Sequence, residues 1–148
     1  MRCRTALPAS VFENNNEEAG MTKAATLATL SGRRILVAED DYMIAEGIAE
    51  MLSEAGAEAL GPAPTVADAA RFVAAEERMD AALLDVNLRG ERIWPVVDAL
   101  LAREVPVVLS SGYDEDAIPP AYAHLPRCGK PATGRAIAHA LVCMLAPA

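Results

Sequence analysis

The chain lacks any apolar run approaching the roughly 20 residues that cross a bilayer, although 53% of its 148 residues are hydrophobic. That hydrophobic share excludes a disordered chain. The start, MRCRTALPASVFENNNEEAG, is basic but has no continuous apolar stretch, so no secretory signal is expected. Cysteine is scarce. Cys3, Cys128 and Cys143 stand far apart, which excludes the close spacings of zinc knuckles and redox pairs and fits the reduced thiols of a cytoplasmic protein. Positive charge is short as well. Thirteen basic residues face 21 acidic ones, for a net charge of −8, and the whole imbalance falls in 33–148, where ten basic residues meet eighteen acidic ones. Such a surface repels phosphate backbones, so direct binding of DNA or RNA is not expected, and cations or basic partner surfaces are. There is no internal repeat.

What is present suits one domain of about this length, with a core that buries roughly two thirds of the unfolded surface. Residues 1–32 read as a flexible extension, because ENNNEEAG is polar and MTKAATLATLSG has only weak helical patterning. From Arg33 the pattern alternates. RILVA (34–38) reads as a strand that runs into Glu39, Asp40 and Asp41. A helix follows with Ile44, Ile48, Met51, Leu52 and Ala55 inward, Asp41 as its N-cap and Gly56 as its stop. EALGPA (58–63) reads as a second strand, and Thr65 with Asp68 opens a second helix. AALLDV, a helix with Val96, Val97, Leu100 and Leu101 inward, and VPVVLSSG come next. An irregular stretch, 113–126, leads to a short strand near RCGK, and Thr133 caps a final helix. Trp94 is expected to pack at a helix start, and Cys128 within the core. Tyr113 and Tyr122 read equally as half-buried residues or partner contacts.

Strands alternating with helices predict a parallel sheet covered on both faces. Ligands gather beyond the carboxyl ends of such strands. Glu39, Asp40, Asp85, Ser110, Ser111 and Lys130 all fall at that edge. Clustered carboxylates raise one another's pKa unless a cation intervenes, and hard oxygen ligands suit Mg²⁺. Asp85 then becomes a candidate nucleophile for an acyl phosphate, Ser111 a donor to a phosphoryl oxygen, and Lys130 its counter-charge. Lys130 is the only lysine in 33–148, against nine arginines, which suits a compact point contact.

These residues resemble the receiver domain of bacterial two-component response regulators. ILVAEDD is similar to its first strand and acidic pair, LLDVNL to its phosphoacceptor segment, PVVLSSG to its fourth strand and GKP to its lysine segment. The resemblance covers about 33–146. It implies a flavodoxin-like, doubly wound five-stranded parallel sheet of order 2-1-3-4-5. It implies Asp85 as phosphoacceptor, Ser111 as switch hydroxyl and Lys130 as phosphoryl contact. Mg²⁺ is then held by Glu39, Asp40, Asp85 and the backbone carbonyl of Asn87, and the Lys130–Pro131 bond is expected to be cis. The short spacing after Asp85 and the loose match of LSSGY are similar to the subgroup with a Phe-Ala-Thr-Gly-x-Tyr signature, and predict a shortened or irregular fourth helix. Arg89 replaces the proline common in ordinary receivers. Arg127 stands where the family usually has an aromatic ring, so 113–126 is expected to carry the switch.

The expected function is a single-domain response regulator, not an enzyme with external turnover. It takes a phosphoryl group from a histidine kinase, HWE-type by the subgroup resemblance, or from a histidine phosphotransfer protein. With no sequence left for an output domain, it signals through a downstream protein target, through a homodimer, or as a relay or phosphate sink. A constitutive interaction domain is the alternative. A Mg²⁺-dependent aspartyl-phosphate phosphatase fits less, because Asn87 stands where such enzymes place a general acid.

Overall fold

Short aliphatic runs form the centre of the molecule, and loops bearing the polar residues close one of its edges. The structure, a computed structural model, describes residues 23–112, 118–130 and 132–145. In chain order the strands are β1 (Arg34–Ala38), β2 (Glu58–Ala63), β3 (Ala81–Asp85), β4 (Asn87–Leu88), β5 (Glu91–Arg92), β6 (Val107–Ser111) and β7 (Arg127–Gly129). The helices are α1 (Lys23–Leu30), α2 (Tyr42–Glu54), α3 (Val66–Ala75), α4 (Trp94–Ala102) and α5 (Gly134–Leu145). Five strands make one parallel sheet in the order β2-β1-β3-β6-β7, and β4 pairs with β5 as a separate antiparallel hairpin. Counting the large sheet alone, this is the order 2-1-3-4-5 of a flavodoxin-like fold.

Every residue of β3 and β6 is buried, as continuous apolar runs in a doubly covered sheet require. On one face Leu36, Leu84 and Leu109 pack with Ala69 and Val73 of α3 and with Val96, Val97 and Leu100 of α4. On the other, Ile35, Val37, Leu83 and Val108 meet Ile48 and Leu52 of α2 and Ile137, Ala140 and Leu141 of α5. The caps read from the sequence are in place. Asp41, Thr65 and Thr133 accept hydrogen bonds from the N–H groups of Ile44, Asp68 and Ala136 at 3.1, 3.0 and 3.0 Å. Gly56, just past α2, has a φ of +83°, the left-handed conformation of a helix stop.

Several expectations shift. Ile44 and Leu101 are not inward: they are 44% and 37% exposed. Ile44 lies in the first turn of α2 and Leu101 in the last turn of α4. Part of the expected extension belongs to the domain. The segment Lys23–Leu30 is helical, packs against α5 and buries Leu30 completely, while Gly32 N–H bonds the Gly56 carbonyl at 2.8 Å. A boundary at residue 32 would therefore strip a packed helix from the core; residues 1–22 lie outside the described residues. Cys128 is buried in the core as expected. Cys143 is disulfide-bonded, against the expectation that all three thiols are reduced. Between β6 and β7 the described residues contain one 3₁₀ turn, Pro120–Tyr122, and no α-helix, in line with the expected irregular fourth helix. Tyr113 and the Lys130–Pro131 bond lie outside the described residues.

The edge strand β2 carries one residue more than β1 between the pairs Leu36↔Leu60 and Ala38↔Ala63, a bulge that admits Gly61 and Pro62. The Gly61–Pro62 bond is cis, and Gly61 has a φ of +109°. A Cβ there would lie 2.8 Å from Ala63 N and 2.9 Å from the Val37 carbonyl oxygen. Neither backbone atom can retreat without opening the β1–β2 ladder. Gly61→Ala is expected to cost about 2–3 kcal/mol, seen as a lower urea midpoint at unchanged slope.

Candidate functional site

The right-handed crossovers of this fold leave the carboxyl ends of β1, β3 and β6 side by side, and the polar residues of the sequence collect there. Glu39 follows β1 directly and is 4% exposed; Asp85 ends β3 and is also 4% exposed. Asp40 is half-buried beside them. One carboxylate oxygen from each of the three lies within 4.8 Å of the others. Lys130, immediately after β7, reaches in from the far side. Its Nζ donates to Asp85 Oδ2 at 2.6 Å and lies 3.4 Å from Glu39 Oε1. Its backbone N–H bonds the Ser111 carbonyl at 2.9 Å, which ties the lysine to the end of β6.

Three further carboxylate oxygens are held by backbone donors. Asp41 N–H bonds Glu39 Oε2 at 3.0 Å, Asn87 N–H bonds Asp85 Oδ1 at 3.3 Å, and Arg89 N–H bonds Asp40 Oδ2 at 2.9 Å. Asp41 is thus occupied as a cap and as a donor to Glu39. The Asn87 side chain closes the next turn by accepting from Gly90 N–H at 2.8 Å. Together Asp40, Asp85, Asn87, Arg89, Gly90, Gly112 and Lys130 line an open pocket of about 240 Å³. Ser111 ends β6 one residue before Gly112 and is 8% exposed. The register places Ser110, not Ser111, directly opposite Asp85.

Burial raises the Glu39 pKa, and the charge of Asp85 adds to this, against lowering by the Asp41 N–H and Lys130. Burial also raises the Asp85 pKa, with repulsion from Asp40, even though Lys130 pulls it down. For Lys130, burial acts to lower the pKa, but the hydrogen bond and charge of Asp85 and the charge of Glu39 outweigh it and the net shift is upward. One ammonium thus leaves the carboxylate cluster under-neutralised. A hard divalent cation is the natural complement to such an all-oxygen set, and the residues present fit Mg²⁺.

The chain matches the solution structure of SdrG from Sphingomonas melonis Fr1 with 34% identity over 84% of this chain and 99% of that one, at a TM-score of 0.68. A BeF₃-activated conformation of SdrG, from Pseudomonas melonis Fr1, matches with 35% identity over 78% of this chain and 98% of that one, at 0.65. A response regulator receiver domain protein (CheY-like) from Methanospirillum hungatei JF-1 shares the fold at 22% identity, over 75% and 91% of the two chains, with a TM-score of 0.65. The chain belongs to the response regulator receiver family. No family model and no curated protein matches it.

In this receiver the last strand carries Arg127, half-buried and in register with Leu109. The aromatic residues sit elsewhere. Trp94, at the start of α4, stacks on Tyr122 with ring centroids 4.5 Å apart and 7° between planes. The Tyr122 hydroxyl donates to Asp98 Oδ1 at 2.8 Å. Tyr122, in the described part of the connection between β6 and β7, is therefore pinned to α4 by a ring stack and a hydrogen bond, and each ring has a packing partner within the chain. Residues 113–117 of the expected switch segment lie outside the described residues. By residue type Arg89 is only a replacement for proline, and its place in the pocket wall is signalled in the sequence by nothing but the glycine that follows it. His124 is exposed, and neither it nor His139 belongs to the acidic cluster.

Proposed function

We propose that this receiver accepts a phosphoryl group on Asp85 from the phosphohistidine of a histidine kinase or histidine phosphotransfer protein. The observation that carries the reading is Asp85 itself. It is a 4%-exposed carboxylate at the end of an apolar strand, 2.6 Å from the Lys130 ammonium and within a three-carboxylate cluster. In the transfer, an Asp85 oxygen forms a bond to phosphorus as the phosphorus–nitrogen bond of the donor breaks, and the imidazole leaves as the neutral ring after taking a proton. Glu39, Asp40, Asp85 and the Asn87 carbonyl are the groups that would hold Mg²⁺, which when bound neutralises charge on the phosphoryl oxygens. Lys130 exchanges its contact with Asp85 for one with a phosphoryl oxygen, and the Ser111 hydroxyl donates to another.

The protein then signals by altered binding to a downstream protein, or serves as a relay or sink for phosphate, rather than turning over an external substrate. Among the described residues no helix is long and apolar enough to cross a membrane. The proposed compartment is the cytoplasm, where a histidine kinase or phosphotransfer protein would present its phosphohistidine. SdrG, a structure similar to this chain, has a BeF₃-activated conformation, which supports the same chemistry here.

The test is intact mass after incubation with Mg²⁺ and acetyl phosphate, and separately with a phosphorylated histidine kinase. One phosphoryl adduct is expected on the natural chain and none on Asp85→Ala. Absence of an adduct from both donors would refute the proposal.

A further inference from the structure

The hairpin of β4 and β5 turns through two residues, Arg89 and Gly90, between the paired Leu88 and Glu91. Their φ values are +51° and +89°. Two positive φ angles in a two-residue hairpin are the geometry of a type I′ turn, whose first position favours Asn, Asp or Gly. Arginine is poorly suited to that place, because its Cβ crowds the backbone in the left-handed region. A residue kept in an unfavourable conformation beside a functional pocket calls for a functional reason.

The surroundings supply one. Arg89 lines the same pocket as Asp85 and Lys130. Its backbone N–H is anchored to Asp40, while among the described residues its guanidinium has no hydrogen-bond or ion-pair partner. Arg34, Arg71, Arg78 and Arg103 are by contrast all engaged through their guanidinium groups. The Lys130 ammonium is already shared between Asp85 and Glu39. A phosphodonor, itself anionic, must approach three carboxylates on a domain of strongly negative charge. A guanidinium offers paired donors matched to phosphoryl oxygens.

Taking Asp85 as phosphoacceptor, we propose that Arg89 is a donor-binding residue, whose guanidinium holds the phosphoryl oxygens of the incoming donor at the mouth of the pocket. The site thereby selects donors that present a dianionic phosphoryl group. The backbone hydrogen bond to Asp40 survives replacement of the side chain, so donor binding and Mg²⁺ binding are separable.

The experiment measures phosphorylation rate against acetyl phosphate concentration for the natural chain, Arg89→Asn and Arg89→Lys. Mg²⁺ affinity and melting temperature are measured on the same samples. Arg89→Asn creates the favoured Asn-Gly turn, so its melting temperature is expected to rise. Its rate at sub-saturating donor is expected to fall about tenfold, at unchanged Mg²⁺ affinity. Arg89→Lys recovers part of the rate, and the rate of the natural chain declines more steeply with added salt than that of Arg89→Asn. Equal rates for Arg89→Asn and the natural chain would overturn this assignment while leaving Asp85 as acceptor. A slower rate accompanied by lost Mg²⁺ affinity would overturn it too, by placing the effect at Asp40. A natural chain that takes no phosphoryl group would remove the Asp85 reading and this one with it.

Discussion

Asp85→Asn is expected to abolish the phosphoryl adduct and, in the absence of Mg²⁺ at pH 7, to raise the melting temperature by about 3–6 °C, the shift that roughly 1 kcal/mol produces in a domain of this size. The two effects have one origin. Burial and the charge of Asp40 raise the pKa of Asp85 despite Lys130, and Glu39 is raised likewise. The folded domain therefore holds protons that the unfolded chain releases near pH 4. For groups shifted in this direction, the stabilising contribution is fully present below the unfolded pKa and is lost as pH rises through the folded one. At pH 7 the ionised Asp85 is a net burden on the fold, and asparagine keeps its shape without its charge. Thermal melts of the two proteins should converge as the pH falls toward 4. Mg²⁺ should raise the melting temperature of the natural chain more than that of the variant, because it binds the folded carboxylates and has lost one of them in Asp85→Asn. If Asp85→Asn were the less stable protein at pH 7, attraction to Lys130 would outweigh burial and the ionised Asp85 would stabilise the fold.

The sheet was legible because strands buried on both faces must be apolar throughout, and AALLD and VVLSS show no polar face. The site followed from the same fact. A carboxylate ending such a strand has to meet a cation, and Glu39, Asp40, Asp85 and Lys130 are indeed brought together. What stayed hidden depends on contacts remote in sequence or on backbone conformation that residue type opposes. The Trp94–Tyr122 stack joins residues with no shared periodicity. The helix Lys23–Leu30 is weakly patterned and owes its place to docking on α5 through Leu30. Arg89 adopts a turn that its side chain disfavours, so turn chemistry read from residue preference passes over the hairpin. Ile44 fits a helical period yet lies in the first turn of α2, beyond the reach of the core.

Removing the cation should act opposite to removing the anion. Lys130→Met keeps the apolar stem but leaves Glu39 and Asp85, both nearly inaccessible to solvent, without their ammonium. Breaking one side of a fully buried ion pair costs about 3–5 kcal/mol. The Lys130 side chain is 28% exposed, so water replaces part of the lost interaction and about 2–3 kcal/mol is expected at pH 7. The loss should shrink on acidification, because protonated carboxyls no longer need a counter-charge. Urea titrations at pH 7 and pH 5 would measure both values; a loss as large at pH 5 as at pH 7 would mean that lysine packing, not its charge, is what the fold requires. Combining Lys130→Met with Asp85→Asn separates the terms further. With Asp85 neutral, the strongest contact of Lys130, at 2.6 Å, has no charge to oppose, and only the 3.4 Å approach to Glu39 remains. The double variant should therefore recover most of the stability lost in Lys130→Met. The non-additivity of the cycle measures the Asp85–Lys130 interaction directly, and that is the interaction phosphoryl transfer must break to bring the ammonium onto the phosphoryl group.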